Sequence, residues 1–335
     1  MKAWRIENND GIDSLNLADI DIGDPGPREV RFRVKSSSIN RRDYNTVRAP
    51  GERNTPLPRI PNSDAAGEVL AVGEDVTEFK PGDRVGSCFF KRWQSGRMRA
   101  PVMASALGGA EEGMLSEEAI LPEAALVSLP KHLTWEEGGT LTVAGVTAWN
   151  ALVVQGRLKA GDTVLVMGTG GVSIFALQFS KMMGARVIIT SKSEEKLSRA
   201  RDMGADETIN YFETPDWDSA VLDLTDGEGV DQVVEVGGPG TLQKSIVATG
   251  YGGHIGMIGS LKLGDVNVHP LLRKSIRLSG IFAGSREMFK DMNAAISANT
   301  MHPVVDQVFG FESARLAFHA LGSDQHFGKI VIRNS

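Results

Sequence analysis

The sequence predicts an α/β protein in two parts: a mostly β, barrel-like portion and a doubly wound parallel sheet. Three observations predict it. From residue 144 onward, apolar strand-like runs alternate with helical periodicities, the pattern of βαβ units and a parallel sheet. Before about residue 122, short half-apolar runs are punctuated by Gly and Pro, as in small barrels. At 335 residues the chain exceeds what one ordinary hydrophobic core serves, so two domains are expected.

In the first part, residues 29–35 (EVRFRVK) alternate apolar and charged side chains with period two, a half-buried strand. Residues 66–73 form another, and Pro81-Gly82-Asp83-Arg84-Val85 is a turn entering a third. Between Phe90 and Gly113 the chain is glycine-rich and irregular, a loop length more often functional than idle. Trp93 within it either walls a substrate pocket or is a core tryptophan.

The second part is organised around residues 163–191. The run Thr163-Val164-Leu165-Val166-Met167 reads as a strand buried on both faces, and it breaks at Gly168-Thr169-Gly170-Gly171. Val172, Phe175, Ala176, Phe179 and Met183 then recur at helical spacing, Gly184 ends the helix, and a second apolar strand runs from Arg186 to Thr190. Strand, glycine turn, helix and strand in fewer than 30 residues form the unit that holds a dinucleotide pyrophosphate. Free N–H groups and the positive end of the helix dipole attract phosphate. Gly168 permits the tight turn and Gly170 the close backbone approach, so residues 168–172, including Thr169, Gly171 and Val172, are the expected cradle. The third signature position, ordinarily Gly or Ala, is Ser173. The bland alternative is a glycine turn with no ligand.

The end of the second strand selects the cofactor. An NAD site usually carries Asp or Glu there, for the ribose hydroxyls; this chain has Thr190-Ser191-Lys192-Ser193, with no carboxylate until Glu194. Hydroxyls and a cation suit a 2′-phosphate, so Ser191 and Lys192 predict NADP(H) in preference to NAD(H). Ser193 caps the following helix in either case. Helix 144–156 precedes this unit, and helix 196–203 follows it. Further strands are expected at 207–210, 230–236, 254–259 and 276–282, a helix at 286–298, a strand near Val304, a helix at 311–321 and a closing strand at 329–332. Ligands of open parallel sheets sit at the strands' carboxyl ends. Gly237, Gly259 (before Ser260) and Phe282 (before Ala283-Gly284) are therefore cofactor candidates, with plain tight turns as the alternative.

Composition narrows the function. A net charge of −6 argues against nucleic acid as a partner. The single cysteine, Cys88, excludes an intramolecular disulfide and a multi-cysteine zinc site, and the six histidines (132, 254, 269, 302, 319 and 326) show no metal-ligand spacing. No apolar run of about 18 residues occurs, so no membrane span and a cytoplasmic setting are expected. Asn40 to Tyr44 gathers an amide, two guanidiniums, a carboxylate and a phenol within five residues, donors able to meet charge developing on an oxygen without a metal. Tyr44 is either the proton donor or a structural aromatic. Arg42 is either a site residue or half of an ion pair, and Asp43 either acts at the site or orients Arg42 or a backbone turn.

These residues resemble the zinc-free branch of the medium-chain dehydrogenase/reductase superfamily, the quinone oxidoreductase and alcohol dehydrogenase-like group. The resemblance runs end to end and rests on Ile39-Asn40-Arg41-Arg42-Asp43-Tyr44, Ser63-Asp64-Ala65-Ala66-Gly67-Glu68-Val69, Phe79-Lys80-Pro81-Gly82-Asp83-Arg84-Val85, Ala144-Gly145-Val146-Thr147-Ala148-Trp149, the 168–173 turn and Gly328-Lys329-Ile330-Val331-Ile332. It implies a GroES-like β-barrel catalytic domain (1–144 and 285–335) and a Rossmann domain (145–284). It also implies a homodimer, often formed by extending the Rossmann sheet through its last strand. By the same resemblance, Asn40 and Asp43 lie at the mouth of the active-site cleft and Thr147 contacts the nicotinamide. The zinc enzymes' ligand positions fall on Asn40, the Asn62-Ser63-Asp64 segment and Val143, which supports no zinc. The expected activity is NADP(H)-dependent, zinc-independent hydride transfer to or from a small carbonyl, quinone or enone. An enoyl-thioester reductase using Arg92, Arg97 and Arg99 as a basic rim, and a non-catalytic NADPH-binding sensor or structural protein, are the alternatives. A methyltransferase is disfavoured by Ser191.

Overall fold

A computed structural model describes residues 1–259 and 265–334. The chain divides into two compact units, Met1–Val146 with Gly284–Ser335, and Thr147–Ala283.

The first unit is built on one long strand, Glu29–Ile39, which pairs antiparallel with Ala66–Val72, Glu118–Pro122 and the closing strand Lys329–Arg333. Its first half alternates as expected. Its second half does not: Ser36, Ser37, Ser38 and Ile39 are all buried, because covering elements replace solvent on both faces. Serines are weak strand formers, so periodicity alone stops at residue 35. The remaining strands extend this sheet to seven, with Val305–Gly310 at one edge and Leu126–Ser128 at the other. One core cluster gathers Trp4, Ile39, Phe318 and Leu321; a second gathers Phe32, Val85 and Leu107. Asn40 and the residues after it are not loop: Arg41–Arg48 is a helix with Asn40 as its N-cap.

Among the described residues, the second unit forms a six-stranded, wholly parallel sheet. Its order is Glu207–Asn210, Arg186–Ser191, Thr163–Met167, Val230–Glu235, Thr249–Met257 and Arg277–Gly280. Strand order therefore reverses between Thr163–Met167 and Val230–Glu235, the place where doubly wound sheets take ligands. Leu165, Ile188, Val233 and Ile255 pack in its core, and the two strands Thr163–Met167 and Arg186–Ser191, covered on both faces, read as nearly continuous apolar runs. The crossovers include Gly171–Met182, Glu194–Asp202, Trp217–Asp223 and Pro239–Ala248.

Three expectations need correction. The strand expected at 254–259 is Thr249–Met257. The expected helix 144–156 is two π-helical stretches, Leu141–Gly145 and Asn150–Gln155, around the α-helical Val146–Trp149; apolar spacing does not distinguish these pitches. The strand expected at 276–282 is only Arg277–Gly280, since an edge strand ends where its single partner stops pairing.

Candidate active site

Each unit carries a polar constellation. In the second, the glycine turn leaves the end of Thr163–Met167 and enters Gly171–Met182. Gly168 has φ +70°, a conformation that penalises any Cβ. Gly170 is the N-cap, and no side chain caps this helix, so its first-turn N–H groups are open to a phosphate. The Ser173 hydroxyl donates to the Met167 carbonyl at 2.7 Å, tying helix to strand, and the side chain is buried. The departure from Gly or Ala at this position thus ties the turn down. Met167 is in register with Thr190, and Gly168 N–H donates to Thr190 Oγ1 at 3.4 Å, so the second strand ends beside the turn. Ser191 is buried there. Its hydroxyl accepts from Ser193 N–H, and the Ser193 hydroxyl in turn accepts from Lys196 N–H. Lys192 is exposed. These residues fit a dinucleotide.

The other cofactor candidates are placed less uniformly. Gly237 and Gly238 donate their N–H groups to Glu235 Oε1 at 2.7 and 2.9 Å, and that oxygen also accepts from Thr241 at 2.7 Å. Glu235, fully buried, therefore ties down the Gly237–Gly238 turn that leads into Pro239–Ala248. Gly259 N–H donates to the Glu235 carbonyl at 3.1 Å, and a Cβ on Gly259 would lie 1.9 Å from the Val236 carbonyl oxygen. Ser260 lies outside the described residues. Thr147 is buried within Val146–Trp149, while Phe282 is half exposed beyond the edge strand.

In the first unit, Asn40 and Asp43 meet because an N-cap and the third helical residue share one side of the first turn. Asp43 Oδ2 accepts from both Asn40 N–H and Asn40 Nδ2 at 3.0 Å. Its Oδ1 accepts from Arg42 at 2.9 Å and from Ser63 at 3.2 Å. Arg42 also donates to the Leu107 carbonyl at 2.8 Å and lies over the Phe89 ring. Asp43 is fully buried, with every oxygen engaged.

On the other side of Asn40 stands Lys329, from the closing strand. Its ammonium donates to Asn40 Oδ1 at 2.6 Å, to the Ile39 carbonyl at 3.1 Å and to Asp64 Oδ2 at 3.3 Å. Asp64 Oδ2 accepts from Ser38 at 2.5 Å, whereas its Oδ1 is buried without a partner. Burial pushes the Asp64 carboxyl up to about 6; Lys329 pulls it down, the neighbouring Asp43 carboxylate pushes it further up, and hydrogen bonds from Ser38 and Asn40 lower it. Of the positions that the resemblance assigns to metal ligands, Asn40 presents an amide, the Asn62-Ser63-Asp64 segment an amide, a hydroxyl and a carboxylate, and Val143 an apolar side chain, with the Lys329 ammonium already bound to Asn40 and Asp64. Zinc takes thiolate, imidazole or free carboxylate donors; this set does not suit it.

The structure therefore brings Asn40, Asp43 and Arg42 together and turns Tyr44 elsewhere. One helical residue beyond Asp43, the Tyr44 ring packs on the core cluster of Phe318 and Leu321, under the Arg41 guanidinium, and a Cβ on Gly322 would sit 2.9 Å from it. Trp93 is buried against Phe90 and donates to the Gly96 carbonyl at 3.0 Å, a core role. Lys329, Ser38 and Glu235 escaped sequence reasoning. The available signal for Lys329 was one cation opening an apolar closing strand.

A family model described as alcohol dehydrogenase GroES-like domain matches residues 26–131, and one described as zinc-binding dehydrogenase matches residues 171–298. A zinc-type alcohol dehydrogenase-like protein of Schizosaccharomyces pombe is 41% identical over 96% of each chain. A quinone oxidoreductase of Pseudomonas aeruginosa is 30% identical, again over 96% of each. A solved NAD-dependent alcohol dehydrogenase superposes with a TM-score of 0.90 at 34% identity, covering 99% of both chains. Among the described residues, no helix is long and apolar enough to cross a membrane.

Proposed function

Because this chain belongs to the medium-chain dehydrogenase/reductase superfamily, as an NAD(P)H-dependent oxidoreductase of the alcohol dehydrogenase and quinone oxidoreductase type, we propose a zinc-independent enzyme that prefers NADP(H). It moves a hydride to or from a small carbonyl, quinone or enone, as a cytoplasmic homodimer joined through the open edge strand Arg277–Gly280.

Bound NADPH supplies the hydride. The chain's own part is to hold the nucleotide and to meet the charge that develops on the substrate oxygen. The open N-terminus of Gly171–Met182 takes the pyrophosphate, Ser191 and Lys192 take the 2′-phosphate, and Thr147 borders the nicotinamide. The observation that carries the oxidoreductase reading is Asn40. An amide has two N–H donors: Asn40 gives one to Asp43 and its oxygen accepts from Lys329, while its side chain also hydrogen-bonds Asp64, so an oxyanion would take the second N–H in competition with that carboxylate. Asp43 and Arg42 hold that geometry, and Tyr44 supports it from the packed side of the helix.

The NAD-dependent relative is the reason to test the cofactor directly. Fluorescence titration with NADPH and NADH, followed by NADPH consumption with quinones, enones and an acyl thioester, decides it. Tighter NADPH binding and chelator-resistant turnover are expected. Turnover abolished by chelator, or tighter NADH binding, would overturn the corresponding part.

A further inference from the structure

Resting on that reading of Asn40, we infer that Lys329 is the positioning residue of the site, fixing the Asn40 amide with its oxygen inward and strengthening its N–H groups as donors.

Lys329 opens a strand whose next three residues, Ile330, Val331 and Ile332, are fully buried, and it is itself only 3% exposed. Burying an ammonium is costly unless its partners compensate. A lysine retained for stability would be expected to place its shortest contact on a carboxylate. Here the order is reversed. The shortest contact is the neutral amide oxygen of Asn40 at 2.6 Å, and Asp64 is the longest at 3.3 Å. Asp64 divides its bonding besides: the oxygen that meets the ammonium also accepts from Ser38 at 2.5 Å. The cation's closest hold is on the amide.

The chemical consequence follows from the amide's electronic structure. A cation at Oδ1 draws density from the nitrogen and makes both N–H bonds stronger donors. It also removes the ambiguity of the amide, because an ammonium cannot donate to an NH2 group. Asp43 Oδ2 takes one N–H from the other side. The amide plane is therefore fixed from both sides, by the ammonium at its oxygen and by the Asp43 carboxylate at one N–H. In this arrangement the ammonium supplies, through one amide, the positive charge that a metal would otherwise apply to the substrate oxygen directly.

The test uses the full-length protein and four variants: Lys329→Met, Asn40→Ala, their combination, and Lys329→Arg. Loss of one oxyanion donor lowers kcat by about 100-fold or more; that loss is expected for Lys329→Met and for Asn40→Ala, with KM and NADPH binding within about twofold. The combined variant should be no worse than either single change, and Lys329→Arg should recover much of the rate. Losses that multiply in the combined variant, or a Lys329→Met enzyme with altered melting but normal kcat, would overturn the inference. Should Lys329→Met fold poorly because Asp64 is left alone, the Lys329→Met/Asp64→Asn pair removes both charges and is read the same way. A second readout needs no turnover. With Asn-selective 15N labelling, the Asn40 side-chain amide (identified by its loss in Asn40→Ala) should shift and exchange faster in Lys329→Met; an unchanged signal refutes the positioning role. Wild-type protein that turns over nothing, yet shows this dependence on Lys329, would refute the hydride-transfer reading and leave the hold of Lys329 on Asn40 intact.

Discussion

Replacing Ser191 with Asp should invert the nucleotide preference while leaving the fold in place. Ser191 ends the second strand beside the glycine turn and is 4% exposed. Its hydroxyl accepts from Ser193 N–H at 3.3 Å, a role an aspartate oxygen fills equally well. At a spacing of about 4–5 Å and an effective dielectric of about 20, a carboxylate facing a 2′-phosphate is opposed by roughly 3–4 kcal/mol per pair of unit charges. Solvent around the phosphate reduces that to about 2–3 kcal/mol, or about 30- to 150-fold weaker NADPH binding. For NADH the sign is opposite, since the carboxylate accepts from ribose hydroxyls, a charge-assisted bond of about 1.5–3 kcal/mol. The two shifts together cross the preference over. Fluorescence titrations of both nucleotides against wild type and variant measure it. If NADPH affinity changes by less than about threefold, the 2′-phosphate does not sit at Ser191 and the cofactor argument fails.

Other outcomes follow from the same geometry. Asp43→Ala strands the Asn40 N–H and amide, the Ser63 hydroxyl and the Arg42 guanidinium, and should cost about 3–5 kcal/mol in denaturant unfolding; a cost below about 1 kcal/mol would show that the network does not form. Gly168→Ala forces a Cβ into the left-handed region at φ +70°, costing roughly 1–2 kcal/mol and weakening binding of either nucleotide; unchanged binding would argue that the turn holds no phosphate. Asp64 titrates near 6 when folded and from 3.8 when unfolded. The folded chain keeps the proton through that window, so this group's contribution to stability falls as pH rises from about 4 to about 6, by at most about 3 kcal/mol. His254, buried and held down to about 4 by desolvation and by Arg277, acts oppositely: its contribution is intact above about 6.5 and is lost as pH falls toward about 4. Denaturation across pH 4–7 should show Asp64→Asn removing the first slope and His254→Gln the second. A slope that survives its own variant would refute the assignment.

Much of the second unit was legible because its information is local. A strand buried on both faces must be apolar throughout, a tight turn into a helix needs glycine at fixed positions, and the residue ending the next strand lies beside that turn in any doubly wound sheet. The candidate site in the first unit was half legible. Asn40, Asp43 and Arg42 stood out as a cluster of chemistry. Tyr44 stood out equally, and only the helical pitch that turns it toward Gly322 and Phe318 separates it from them.

By itself, then, the sequence determined the parallel sheet, the glycine turn, the Ser191–Lys192 strand end and the polar stretch at 40–43, since each depends on residues a few positions apart. Tertiary structure decided the rest. The Lys329–Asn40 contact joins positions 289 residues apart, and it exists because the closing strand pairs with Glu29–Ile39 in the register that sets Ile330 opposite Ile39. No local pattern encodes that register. It follows from which faces the whole unit buries, and burial around Asp64 then pushes that carboxyl up.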